Sequence, residues 1–416
     1  MSVQPLVSVR LTFLPVLLVC AVMVTVAAGS PNPVFASNGD PVFERADYLE
    51  LETGERNLRA AVITPDGSHA YFATGTNPGK IVKVNIETFE RVDVLTLESG
   101  EGPLISAAMT PDGSELYVGT ETSPGKVIKV DLQNFERVDA ITLDENENNL
   151  RCAAIPPDGS ALYFGTDTAP AYVIKVNLET FTRQAVLALP PLEDMLTSVV
   201  ISPDSSTAYF GSLRFDARAI KVNLETFTRT SAITFTRDRN ESNIHSAAIS
   251  PDGSRLYFGC SFGYYIEVSA SPFQRIETYA LDATNQVWTA LMAPDGSALY
   301  FGTHSSPGSV VRVDRETMEQ TGKVVFEAGE NNVVSSVIAP DGSAAYFGLS
   351  INPGRIIKVT LPLAAEEPIP GDFNFDGCVN FQDFIILLEN WGLEYQGTMM
   401  NFAAFIALLE NWGAGC

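Results

Sequence analysis

Histidine is scarce in this chain, with three in 416 residues, and His69, His245 and His304 stand in three different local contexts. No HExxH metal spacing, no GxSxG nucleophile elbow and no glycine-rich phosphate loop occurs. An enzymatic reading therefore rests on analogy of fold alone. Cations are also few: 26 lysines and arginines face 50 acidic residues, a formal charge of -24. Such a balance disfavours nucleic acid and anionic lipid as partners and points to a solvated, soluble acidic surface. Cysteine is limited to five residues, and Cys20 lies in a leading segment of different character from the rest.

That segment carries Arg10 before the apolar run Leu11 to Ala28, followed by the small residues of "VAAGS" and "PVFASN". It reads as a secretory signal peptide over 1–36, cleaved after Ala28 or Ala36, with an uncleaved anchor as the alternative. Bacterial-type export is expected, giving a secreted or surface-attached protein with no membrane span after cleavage. Cys152, Cys260, Cys378 and Cys416 would remain, in a compartment that permits disulfides.

What is abundant is repetition. "PDGS" or a close variant begins at Pro65, Pro111, Pro157, Pro203, Pro251, Pro294 and Pro340, at spacings of 46, 46, 46, 48, 43 and 46. Each unit holds four short runs rich in Val, Ile, Tyr, Phe and Thr between Gly, Pro, Asn and Asp turns, the pattern of four strands. Seven such units predict a mainly β chain built as a seven-bladed β-propeller over 42–363. The last unit lacks its outer strand, while "FERADYLELETGE" before the first turn matches "FERVDVLTLESGE" from Phe89. The N-terminal strand, about Arg45 to Leu51, is thus expected to complete the last blade beside Arg355 to Thr360 and close the ring.

With "PDGSELYVGT" at Pro111 to Thr120, the repeats resemble the bacterial YVTN family of seven-bladed propellers, a resemblance that implies fold rather than activity. Propellers of this type include binding proteins, surface proteins and some lactonases and lyases.

Within a unit, Pro presets φ, Asp bonds back to the backbone and Gly permits positive φ, so "PDGS" is a structural turn; Ser205 stands in for Gly in the fourth. The tyrosines of "YFG" are expected to pack between blades. Lys83, Lys129, Lys175, Lys221 and Lys358 share a third-strand position and read as blade-edge cations facing solvent or a carboxylate. Cys152 and Cys260 read as separate buried thiols.

Departures from the repeat mark a candidate site. "LRFDARAI", "TRDRNESNIH" and "CSFGYYIEV" gather Arg214, Phe215, Arg218, Arg237, Arg239, His245, Tyr264 and Tyr265, with Trp288, in one sector of the loop-rich rim. Aromatic rings stack on sugar faces and guanidinium groups pair with anions, so an acidic glycan is a candidate ligand for this sector, with ordinary drift of surface loops as the alternative reading.

"LAAEEPIP" reads as a linker over 364–370. Beyond it, 371–416 forms a separate small module. Asp372, Asn374, Asp376, the Cys378 carbonyl, Asn380 and Asp383 occupy positions one, three, five, seven, nine and twelve of a calcium loop, with Gly377 at six. The run "NFQDFIILLENWG" from Asn380 returns as "NFAAFIALLENWG" from Asn401. This pair resembles the dockerin family, whose paired loop–helix repeats dock onto cohesin partners. The second repeat has Ala404 in place of Asp383 and no acidic series before it, so one calcium site is expected. The resemblance places candidate docking positions at Phe381 and Gln382. The apolar residues Phe384, Ile385, Leu387, Leu388 and Trp391, echoed by Phe405, Ile406, Leu408, Leu409 and Trp412, predict a mutually packed helical pair. A Cys378–Cys416 disulfide would staple so small a module.

These readings lead to a non-catalytic extracellular binding or scaffold propeller, tethered through the module to a cohesin-like or cell-surface protein. The alternative is a secreted carbohydrate-active lyase or lactonase with its site on the loop-rich face. A cluster of carboxylate, His and Arg in the central funnel would favour the enzyme, and an aromatic side patch would favour binding.

Overall fold

A computed structural model describes residues 42–282, 286–362, 373, 379–391, 394–395, 398–399 and 402–412. The signal segment 1–36 and the linker 364–370 lie outside them.

Seven antiparallel sheets of four strands make a propeller. The first strand of each blade neighbours the first strands of the blades on either side, and Leu58–Ile63 meets Val333–Ile338 to complete the circle. The seventh blade takes its outer strand from the N-terminus: Glu44–Glu50 pairs with Arg355–Thr360, from Glu44 opposite Thr360 to Glu50 opposite Arg355. The expected closure is therefore observed, and it removes the seam an open ring would leave.

The repeated residues explain the blade. In the turns, Asp66 accepts from the Ser68 N–H at 3.0 Å and Gly67 has φ +70°. Ser205 takes φ 62° at the equivalent place, so the fourth turn keeps the left-handed conformation without glycine. The glycine of "YFG" answers a different demand. A Cβ on Gly165 would lie 2.6 Å from Cys152 Sγ and 2.8 Å from Leu196 Cβ, so no side chain fits where the next blade approaches.

Six of the seven repeated tyrosines reach into the next interface and meet a phenylalanine of the following blade, among them Tyr71 with Phe135 at 5.6 Å, Tyr117 with Phe181 at 5.7 Å and Tyr163 with Phe227 at 6.0 Å. The repeated lysines differ from their expected role. Lys83 lies 6.0 Å from the centre of the Tyr71 ring and 5.8 Å from that of Phe135, and Lys175, Lys221 and Lys358 cap equivalent pairs. Lys129 does both, covering its rings and pairing with Glu115 at 2.5 Å. The ring quadrupole attracts the ammonium, so each lysine contributes to the interface it borders. At the interface of the fifth and sixth blades, Met318 and Glu267 replace the phenylalanine and the lysine together, and Arg255 pairs with Glu267 at 3.2 Å.

A second repeated device was not foreseen. Six buried glutamates in the loops entering the blades receive arginines from the outer strands of the same blades: Glu55 from Arg91, Glu101 from Arg137, Glu147 from Arg183, Glu193 from Arg229, Glu241 from Arg275 and Glu330 from Arg45. Arg45 donates Nε and Nη2 to the two oxygens of Glu330 at 2.9 and 2.6 Å, so this pair also locks the N-terminal strand into the last blade. Burial opposes the charge on Glu330, but the arginine and backbone hydrogen bonds outweigh it and hold the carboxyl below its ordinary range. In the sixth blade Gln320 accepts the Asp282 N–H instead, a neutral substitute.

The C-terminal region contains two short helices, α1 (Phe381–Glu389) and α2 (Phe402–Glu410), which pack on each other around Leu387, Ala404 and Leu408, with Phe373 and Val379. Helix α1 begins three residues before the apolar run because Asn380 caps it, accepting the Gln382 N–H at 2.7 Å.

Candidate functional site

Successive side chains of a strand face opposite ways, and the start of the first strand uses the two directions differently, with a register shift at this point in six blades and the equivalent residues just before the strand Ser246–Ile249 in the fifth. Leu58, Leu104, Leu150, Leu196, Ile244, Val287 and Val333 are wholly buried between blades. The residues that follow them, Arg59, Ile105, Arg151, Thr197, His245, Trp288 and Val334, line the mouth of the central channel, a cavity of about 530 Å³. A second tier comes from the residues that follow "YFGT" or its variants, among them Glu121, Leu213, His304 and Ser350. Backbone bonds hold this tier in place: the Glu121 N–H donates to Pro103 O at 2.8 Å, that of Asp167 to Asn149 O at 2.9 Å and that of Ser350 to Asn332 O at 2.9 Å. Several of the lead-in residues are asparagines in the left-handed region, Asn57, Asn149, Asn243 and Asn332, a conformation asparagine tolerates well.

The mouth has two unlike walls. On one, Arg59 Nη1 pairs with Glu121 Oε2 at 2.5 Å, Arg151 Nη2 approaches Glu121 Oε1 at 3.4 Å, and Arg151 Nε donates to Asp167 Oδ2 at 2.6 Å. This chain of alternating charges is nearly self-compensated and offers both donors and acceptors. On the other wall the Trp288 indole stacks with His245 at 5.2 Å and with His304 at 4.5 Å. Trp288 Nε1 donates to Gln286 Oε1 at 2.7 Å, and His245 Nε2 lies 3.2 Å from Ser261 Oγ. Burial, then the neighbouring His304 and Arg151, push His245 down to about 4; burial likewise lowers His304. Both imidazoles are consequently neutral at neutral pH.

The residues nominated from sequence divide between this mouth and an adjoining cleft. His245 and Trp288 are in the mouth. Arg214, Phe215 and Arg218 line a second cavity of about 540 Å³ with Leu192, Met195 and Asp216, and Leu213 and Asn243 border both. Arg237 lies 5.4 Å from the centre of the exposed Phe215 ring, and Arg239 closes the short turn Arg237–Arg239. Tyr265 is a correction: it is buried, stacked with Phe301 at 4.7 Å and Tyr279 at 5.1 Å, and serves the core. Tyr264 is half-buried against the neighbouring core cluster. Arg59, Glu121, Arg151, Asp167 and His304 escaped the sequence reading. Their signal was present: directly after a repeated buried aliphatic, the seven units read Arg, Ile, Arg, Thr, His, Trp and Val, while the flanking positions repeat. Cys152 and Cys260 are buried free thiols in separate clusters, outside the mouth.

In the C-terminal region Asp372, Asn374, Asp376, Cys378 and Cys416 lie outside the described residues. Asp383 is completely buried; it accepts the Phe373 N–H at 2.7 Å and the Asn380 N–H at 2.8 Å, bringing Phe373 to the start of helix α1. Its bond from the Asn380 N–H completes a capping box at the start of helix α1. Ala404, at the matching place in the second repeat, is buried in the apolar core. The mutual packing expected of all the apolar helix residues is corrected for six of them: Ile385, Leu388 and Trp391, and their counterparts Ile406, Leu409 and Trp412, are exposed, as is Phe381. Gln382 is exposed beside it.

No helix among the described residues is long and apolar enough to cross a membrane. No protein-family model and no curated protein matches this chain.

Proposed function

We propose that this is an exported, non-catalytic binding or scaffold protein whose propeller takes a saccharide at the channel mouth and whose C-terminal dockerin-like module tethers it. The observation carrying the reading is the pairing of the two walls. Sugar hydroxyls both donate and accept, matching the Arg59–Glu121–Arg151–Asp167 chain, and the Trp288 stack supplies the aromatic surface that sugar faces prefer. Asp372, Asn374, Asp376, the Cys378 carbonyl, Asn380 and Asp383 would hold one calcium ion, which ties loop to helix and adds to folding stability. The duplicated exposed residues around Trp391 and Trp412, together with Phe381 and Gln382, offer a face for a cohesin-like or cell-surface protein.

The test is glycan binding by the full-length protein and by Trp288→Ala and Arg151→Ala. Loss of binding in both variants with unchanged melting temperature supports the reading; binding that survives both overturns it. Chelation of calcium is expected to lower the melting temperature of the C-terminal module and abolish partner capture while glycan binding persists.

A second reading has its own observation. Glu121, two neutral histidines and two arginines converge on the central cavity, the cluster that favours a lyase or lactonase; the binding reading is preferred because Glu121 is engaged by both Arg59 and Arg151 and both imidazoles are stacked on Trp288. Turnover of a bound saccharide or lactone, lost in His245→Ala or His304→Ala, would transfer the assignment to the enzyme.

A further inference from the structure

The channel mouth does not end at its own rim. Leu213 and Asn243 form a sill shared with the outer cleft of the fourth blade, so two cavities of about 530 and 540 Å³ lie in succession. The two differ in kind. The mouth balances Arg59 and Arg151 against Glu121 and Asp167. In the cleft the cations are in excess. Arg214 is paired with Asp194, but Glu193 is already held by Arg229 through Nε–Oε2 at 2.9 Å, and Arg218 approaches it only at 3.5 Å. Arg218 Nε is buried without a hydrogen-bond partner, while its partly exposed guanidinium makes only the long contact to Glu193, and Arg237 has no ion pair among the described residues. Against them stand Asp216 on the same wall and Asp194, whose Oδ1 is buried without a hydrogen-bond partner. Phe215 is 65% exposed beside Arg237, on a chain whose formal charge is -24.

We infer that the two cavities form one extended site for an acidic oligosaccharide chain, with a sugar ring in the channel mouth and an anionic sugar crossing Leu213 to reach Phe215, Arg218 and Arg237. The chain form follows from the succession of cavities across the sill. The acidity follows from the guanidinium groups left without full pairing, which bind carboxylate or sulfate through charge-assisted hydrogen bonds. The exposed Phe215 face supplies stacking for the outer ring. This extension rests on the channel-mouth reading.

Its test is calorimetric titration of the full-length protein with uronate oligomers from monomer to hexamer and with neutral oligomers of the same length. Affinity is expected to rise by about tenfold or more from monomer to trimer and then level off, with neutral oligomers showing a smaller rise. In Phe215→Ala and in the double variant Arg218→Gln with Arg237→Gln, the trimer-to-monomer ratio is expected to fall to near one, with the melting temperature reporting that each variant is folded. Equal affinity for monomer and trimer overturns the extension, as does a length gain that persists in both variants or is as large for neutral chains. Saccharide binding that requires Trp288 but shows no length gain sinks the extension alone; no saccharide binding at all sinks the channel-mouth reading with it.

Discussion

Leu150 and Arg151 are adjacent in one strand, yet they belong to different parts of the protein. Leu150 is wholly buried between two blades and has an aliphatic counterpart in every other unit. Arg151 points into the channel mouth, where its counterparts range from isoleucine to tryptophan. The two directions separate at the start of the blade's first strand, where the register shifts at Arg151, so one direction carries packing while the other is released from it. Difference among repeats therefore accumulates where no neighbour fills the space, and that is where recognition can reside.

Breaking the packing side should cost the most. Glu330→Ala removes the acceptor that holds Arg45, and is expected to destabilise the propeller by about 3–5 kcal/mol, the usual cost of breaking a buried ion pair. Urea unfolding measures it, and early proteolysis at the N-terminal strand would show that closure is the part lost. The same pairs set an acid limit. Glu101 and Glu330 have folded pKa values below the ordinary 4.5, so their stabilisation is fully present above that value and disappears as pH falls through the lower folded values.

Leu150→Ala is expected to cost about 2–5 kcal/mol by opening a cavity between blades. Arg151→Ala, one residue away, is expected to change stability by less than about 1 kcal/mol and to abolish glycan binding. Equal destabilisation by the two would erase the proposed division between packing and recognition faces.

The histidine wall gives a smaller effect of defined sign. His245 is lowered to about 4 from 6.5, so between those values the unfolded chain takes up a proton that the folded chain refuses. The His245 contribution should then decline as pH falls from about 6.5 to 4, by roughly 1–3 kcal/mol, and level off below, where the loss from the glutamates takes over. His245→Gln should flatten that segment of the stability profile. The smallest effect is expected at the blade edge, where Lys129→Met removes the cation over Tyr117 and Phe181 and the pair with Glu115, costing about 0.5–1 kcal/mol.

Much of the architecture was legible because repetition states the same local chemistry seven times. The turn requirements of "PDGS" act over four residues, and the match between "FERADYLELETGE" and the outer-strand motif named the strand that closes the ring. The candidate site was only half legible. Irregular loops point to His245 and Trp288, whereas His304 stands in a different local context within a regular repeat and carries no such signal. Tyr265 was included because it sits beside an unusual loop, although strand alternation turns it into the core. The helical module shows the same limit: Leu388 and Trp391 follow an amphipathic pattern like that of Leu387, and only Leu387 is enclosed by the partner helix.

The amino-acid sequence by itself determined the number of blades, their turns, the source of the closing strand and the aromatic interfaces, because each depends on short-range propensity and on a period visible along the chain. Only the tertiary structure decided that Arg59, Glu121, Arg151, His245, Trp288 and His304 share one cavity. Residues on five different blades become neighbours only when the ring closes and every first strand turns one edge toward the axis, a relation that depends on the whole circle rather than on any segment of it.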